Sequence, residues 1–175
     1  MCSATNTTAM SVVQPPPQAG DERASLLGFL DLQRGIVRWK LDRVAEAAVR
    51  SASTPSGVTL LGIVRHLTDV ERWWFRDRWA GEDGVVFYST EEDDDADWHV
   101  PPDISAGDTL DAYARECERS NAIVAAAQSL DTLGRRREVS LRWVLLHMIE
   151  ETARHAGHAD LLREQIDGVV GYKPY

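Results

Sequence analysis

The chain has 175 residues, 43% of them apolar, which is enough for the core of one domain. Its formal net charge of -9 argues against nucleic-acid binding, because phosphate contacts need a concentrated basic face. The one basic run, Arg135 to Arg137, is typical of a solvated loop, so no nucleic-acid partner is expected.

Ser, Thr, Pro and Gln dominate the start of the chain and leave little to bury. We predict a disordered tail over residues 1–19 and a single domain over residues 20–175. The tail lacks the basic and apolar regions of a secretory signal, and no apolar run approaches membrane-spanning length. The two cysteines, Cys2 and Cys117, do not indicate a disulfide framework. These features predict a soluble, cytoplasmic protein without a membrane partner.

Apolar residues that recur at intervals of three and four predict amphipathic helices joined by polar turns. Thr59 and Ser140 have the side chains of helix N-caps before the second and fourth of them, and Gly81 follows the second as a stop signal. The predicted helices cover residues 21–50, 60–80, 107–129 and 141–167. An all-α four-helix bundle is therefore the expected fold.

The longest connection, residues 81–102, joins the second and third predicted helices. Within it, Val85 to Tyr88 has the composition of a short extended segment. The acidic run from Asp93 to Asp97 lacks the alternating ligand spacing and the distal Glu of an EF-hand loop, so we interpret it as a solvated loop. A connection of this length is often a lid or a pocket wall.

A histidine on the second predicted helix and a glutamate and a histidine on the fourth form a candidate site. At about 100° per residue, Glu151 and His155 lie along the border of one apolar face, and His66 lies beside the other. Burying three such groups costs free energy unless they share a partner, and a divalent cation would satisfy all of them. The pattern predicts either a metal site or a hydrogen-bonded cluster with water. Two histidines and a carboxylate occur in catalytic zinc sites and in non-haem iron sites, which keep a position open for substrate.

Three other polar residues compete for roles near this site. His147 and His158 are rival ligands, but their angular position on the fourth helix favours a packing role. Glu71 falls within the apolar face of the second helix, where an acid is unusual. We predict that Glu71 either belongs to the catalytic site, as the acceptor that orients a ligand histidine, or pairs with an arginine.

Two segments carry a resemblance to a known family: HLTDVERWWF at residues 66–75 and LRWVLLHMIEETARHAGHADLLREQIDG at residues 141–168. They resemble the DinB/YfiT-like superfamily of metal-dependent four-helix bundles, and more narrowly its actinobacterial, mycothiol-dependent branch. In that branch a histidine on the second helix joins a glutamate and a histidine four residues apart on the fourth. The resemblance therefore implies the ligands His66, Glu151 and His155, which the helical count also selects.

This resemblance implies a metal-dependent S-transferase or detoxification enzyme, with mycothiol or a related small thiol as cosubstrate and an electrophile as second substrate. A divalent metal, zinc before nickel, iron or manganese, would favour the thiolate over the thiol, so no protein cysteine is needed. The maleylpyruvate isomerase of this branch carries an added C-terminal domain, and because this sequence stops at Tyr175 we expect transfer rather than isomerisation. The resemblance also implies a homodimer.

Four tryptophans on the predicted helices have two possible roles. They either line a pocket for a sugar-bearing thiol or form core and dimer contacts, and they are Trp73, Trp74, Trp79 and Trp143.

Three functions are considered, and each predicts a different kind of site. A transferase would have an open pocket beside the ligands, large enough for the thiol. A non-catalytic metal-binding stress-response bundle would have a closed site that thiols do not affect. An interaction protein with a vestigial site would bind no metal and present an apolar dimer surface.

Overall fold

The computed structural model describes residues 15–51 and 54–171, and over those ranges its regular elements are helices without a strand. In chain order they are α1 Glu22–Trp39, α2 Glu46–Val49, α3 Leu60–Glu71 with its π-helical continuation Arg72–Trp79, a 3-10 turn Ala96–Trp98, α4 Ala106–Ala126 and α5 Leu141–Asp167. The long helices form a bundle in which α1 packs mainly against α5, and α3 mainly against α4. This confirms the predicted all-α bundle, whereas most of the predicted tail, residues 1–14, lies outside the described ranges.

The first predicted helix, residues 21–50, is wrong in its second half. Helix α1 stops early, and Arg43 then adopts a left-handed φ of 57°, which an α-helix does not accommodate. Arg163 on α5 donates hydrogen bonds of 3.0 Å to the carbonyls of Lys40 and Asp42 in this turn. These bonds give the turn's carbonyls the partners that a continuing helix would have supplied. The apolar spacing continues into α2, so periodicity does not reveal the break.

The second and third predicted helices are confirmed with smaller differences. The second ends at Trp79, one residue before the predicted end. The predicted stop signal, Gly81, follows with a φ of 66°, which suits glycine. Its last part is π-helical, since the Ala80 N–H donates to the Phe75 carbonyl, five residues earlier, at 2.9 Å. The third ends at Ala126, three residues before the predicted end. Within the described ranges no helix is both long and apolar enough to cross a bilayer.

Two apolar clusters fill the bundle, and a layer of buried polar side chains separates them. On helix α5, Met148 belongs to one cluster and Ala156 to the other, and the buried Thr152 lies between them. The residues of the layer, each at most 3% exposed, are Arg34, Thr68, Glu71, Ser120 and Thr152. Buried polar groups cost free energy unless they are paired, so a layer of them within an apolar core indicates a structural or functional role at this level of the bundle. Glu151 lies at the same level of α5.

The long connection between the π-helical segment and α4 lies beside α3. Its residues from Val85 to Tyr88, for which composition suggests a short extended segment, do not form a strand. The 3-10 turn packs on α3 at Gly62, where a Cβ atom would lie 2.6 Å from the backbone oxygen of Trp98. Glycine permits this close approach, which brings the acidic connection next to the helix that carries His66.

Helix α5 has the predicted bounds, and Ser140 caps it by accepting the Trp143 N–H at 3.2 Å. We expect Ser140→Ala to lower the free energy of unfolding by about 1 kcal/mol, because a first-turn N–H loses its acceptor. Urea denaturation followed by circular dichroism measures this change. Ser140→Asp keeps an acceptor and should retain the stability, so an equal loss in both variants would contradict the capping role.

Candidate metal centre

The three candidate ligands come together between α3 and α5. The Nε2 atom of His155 lies 3.1 Å from Oε1 of Glu151, and Nε2 of His66 lies 3.6 Å from the same oxygen. One donor atom from each of the three residues falls within 4.8 Å of the others. His66 and His155 also meet edge to face, with ring centroids 4.9 Å apart. The three residues selected by the helical spacing therefore lie close together in the structure.

Asp97 is part of the same cluster, and the sequence did not predict it. Its Oδ2 atom lies 2.7 Å from Nδ1 of His66. This contact leaves Nε2 of His66 to face Glu151, because the Nδ1–H is donated to Asp97. Trp98 stacks on the His66 ring at 4.0 Å between centroids and 13° between planes.

The interpretation of the acidic run as a solvated loop is thus correct at its start and wrong at its end. Asp93, Asp94 and Asp95 are exposed, whereas Asp97 is only 6% exposed. The available signal was the tryptophan that follows Asp97, since an aromatic residue within an acidic loop indicates a segment that packs against the protein.

Charge at the site favours a cation. Hydrogen bonds from His155 and His66 hold the pKa of Glu151 well below its ordinary range. Burial acts against the imidazolium of His66, but hydrogen bonds to Asp97 and Glu151 raise its pKa above the usual value. Both carboxylates therefore direct negative charge at the histidine that lies between them.

The donor set fits a divalent metal ion. In a tetrahedral zinc site with bonds of about 2.1 Å, neighbouring ligand atoms lie about 3.4 Å apart. The separations of 3.1 and 3.6 Å around Glu151 bracket this value. In addition, Nδ1 of His155 is buried without a hydrogen-bond partner in the described part of the chain. The described protein groups alone therefore do not satisfy every polar atom of the cluster, and both a metal site and a cluster with water are compatible with this.

Glu71 lies in the buried polar layer and pairs with an arginine. Arg34 on α1 donates from Nε to Oε1 at 2.8 Å and from Nη2 to Oε2 at 2.7 Å. This is the second of the two roles considered for Glu71. Among the described residues, the carboxylates that contact His66 and His155 are those of Asp97 and Glu151, so Glu71 is not the acceptor that orients a ligand. A part for Glu71 in catalysis remains a prediction.

The rival histidines lie outside the cluster. His147 stacks on Trp143 at 5.1 Å and meets Trp74 edge to face at 4.6 Å, which is the packing role expected for it. His158 is exposed, and its ring centroid lies 5.3 Å from that of His155.

A small cavity adjoins the cluster at Asp97. Its volume is about 150 Å³, and it is lined by Asp69, Val70, Trp73, Trp74, Phe87, Ser89 and Asp97. Trp79 lines a different cavity, of about 360 Å³, at the far end of the π-helical segment. A larger cavity of about 620 Å³ lies between Arg72 and Arg119 and contains none of the three candidate ligands. The cavity at Asp97, which also contains none of the three candidate ligands, has room for one ring rather than the whole of a sugar-bearing thiol.

Comparison with known protein families identifies the family of this chain. A family model described as Mycothiol-S-transferase matches residues 25–168, a range that contains most of α1, the whole of α3, α4 and α5, and all three candidate ligands. This agrees with the DinB/YfiT-like resemblance of the sequence motifs. No curated protein matches the chain.

Proposed function

Since the chain belongs to the Mycothiol-S-transferase family, we propose that it is a metal-dependent transferase acting on mycothiol or a related small thiol. In this proposal His66, Glu151 and His155 hold a divalent cation, zinc before nickel, iron or manganese. The observation that carries the proposal is the convergence of these donor atoms within 4.8 Å, from two helices of the matched region. An electrophile of unspecified structure is the second substrate.

The chemistry follows from the donor set and its surroundings. A bound divalent cation stabilises a thiolate over its thiol, so that the nucleophile exists at neutral pH. Asp97 fixes the orientation of His66, and Glu151 is held in its charged form by its histidine neighbours. The thiol sulfur then forms a bond to the electrophile, whose leaving group departs with the bonding electrons, and the thiol proton passes to solvent.

The thiolate has to come from the cosubstrate. Cys117 is the only cysteine in the described part of the chain, and burial raises the pKa of its thiol far above the ordinary value. Its sulfur lies 4.0 Å from a carboxylate oxygen of Glu71, in the buried polar layer. A thiol in that position stays in its neutral form, which is a poor nucleophile.

Metal analysis of His155→Ala beside the wild type tests the proposal. We expect the wild type to bind zinc near stoichiometrically and His155→Ala to lose it, because two of the three donors do not hold the ion. His158→Ala is the matched control, since it removes an exposed histidine from the same helix and should keep the metal. Calorimetric titration of mycothiol into zinc-loaded and metal-free wild type should show binding only to the loaded protein.

Two results would contradict the proposal. Equal metal content in His155→Ala and the wild type would show that the ion is held elsewhere. Metal binding without any affinity for mycothiol would favour the non-catalytic metal-binding bundle.

A cytoplasmic homodimer remains our expectation from the sequence. Light scattering on the purified protein measures the oligomeric state.

A further inference from the structure

Asp97 links the candidate metal centre to the adjoining cavity of about 150 Å³. Its Oδ2 atom contacts His66, while its Oδ1 atom is buried without a hydrogen-bond partner among the described residues. The residue is only 6% exposed, so this oxygen is not freely solvated. A buried acceptor without a donor costs free energy, and a ligand that brings a donor into the cavity removes that cost.

The other walls of the cavity are largely aromatic. Trp73 and Phe87 meet edge to face, with ring centroids 5.6 Å apart, and Trp74 stands beside them. Trp73 is 38% exposed, so the cavity is reached from solvent across an aromatic edge. Asp69 also lines the cavity, but its two carboxylate oxygens already accept hydrogen bonds from Arg72, Tyr88 and Ser89. Aromatic walls beside an unpartnered acceptor are suited to a ring that has apolar faces and a hydrogen-bond donor at its edge.

Two arginines already lie over aromatic walls of the cavity. The Arg78 guanidinium lies 3.9 Å from the centre of the Trp73 ring, and that of Arg137 lies 5.0 Å from the Trp74 ring. These cations already use the attraction of both indoles for positive charge. The indole faces therefore offer little further attraction to an ammonium ligand, whereas a neutral hydroxylated ring does not depend on that attraction.

We propose that this cavity is a subsite for one hydroxylated ring of the thiol cosubstrate, with Asp97 Oδ1 accepting a hydroxyl hydrogen bond. The inference rests on the proposed transferase function. An aromatic electrophile would also fit the walls, but it would bring no donor for Asp97. The volume admits one ring, so the remainder of a larger thiol lies outside, toward the exposed edge of Trp73.

Trp73→Ala tests the subsite without touching the candidate ligands. The probes are mycothiol and N-acetylcysteine, a thiol without a sugar ring, each titrated calorimetrically into zinc-loaded protein. We expect Trp73→Ala to weaken mycothiol binding about tenfold and to leave N-acetylcysteine binding unchanged, since only the first probe places a ring against the indole. Zinc content should not change.

Phe29→Ala is the matched control, because Phe29 is an exposed aromatic residue, at 49%, that does not line the cavity. It should leave both affinities at the wild-type value. Equal weakening of both thiols by Trp73→Ala, or no weakening of either, would overturn the subsite alone. If the zinc-loaded wild type binds neither thiol, the proposed function fails, and the subsite fails with it.

Discussion

Glu71→Leu is expected to lower the free energy of unfolding by about 3–5 kcal/mol, because it leaves the guanidinium of Arg34 buried without its main partner. Both side chains are almost fully buried, and two hydrogen bonds of 2.7 and 2.8 Å join them. The remaining contacts of Arg34, to Asp31 and Asn121, do not supply a second buried carboxylate. Urea denaturation at a fixed pH, with midpoint and slope fitted separately, measures the loss.

The double variant Arg34→Met/Glu71→Leu separates the cost of an unpaired charge from the worth of the pair. Apolar side chains of similar volume often replace a buried ion pair at little cost, so we expect it to regain most of the lost stability. Glu150→Leu removes the exposed partner of Arg154 and should change the stability by less than about 1 kcal/mol. If Glu71→Leu were no more destabilising than Glu150→Leu, the buried pair would not have the structural role described here.

The same double variant tests the catalytic role predicted for Glu71. If it regains stability as expected, its transferase activity reports on the loss of the buried pair apart from any loss of stability. Restored stability with restored activity would reduce Glu71 to a structural residue. Restored stability with lost activity would support a catalytic role, as first predicted.

Local signals predicted the bounds of α5 well. Ser140 at its start and Gly168 at its end are complete capping signals within the segment itself, and Gly168 adopts the left-handed φ of 76° that ends the helix. The spacing of Glu151 and His155 is likewise a property of one helix. Their meeting with His66 needed only the assumption that two apolar faces pack together.

The features that the sequence did not reveal depend on distant contacts. Nothing near Glu71 identifies Arg34, 37 residues earlier, as its partner. The break after α1 is supported by Arg163 from the last helix, more than 100 residues away. Asp97 looks like its exposed neighbours until the close approach at Gly62 places the 3-10 turn against α3. Each of these contacts is set by the assembled bundle rather than by local propensity.

Asp97→Asn is expected to weaken zinc binding by about 10- to 100-fold while leaving the fold intact. Asp97 accepts the Nδ1–H of His66 at 2.7 Å, which fixes the tautomer and makes Nε2 a better donor. Asparagine has nearly the same size but no charge, so the ring loses both the strong acceptor and the orientation that it imposes. Competition with a chelator of known zinc affinity measures the change.

Asp95→Asn provides the control for Asp97→Asn, because it removes the same charge from an exposed position two residues earlier in the same connection. General attraction between the acidic loop and a cation would be reduced equally in both variants. A specific hydrogen bond to His66 would be lost only in Asp97→Asn, whereas Asp95→Asn would keep the wild-type affinity. An equal loss of zinc affinity in the two variants would therefore show that Asp97 acts by charge alone. Wild-type zinc affinity in both variants would remove Asp97 from the metal centre.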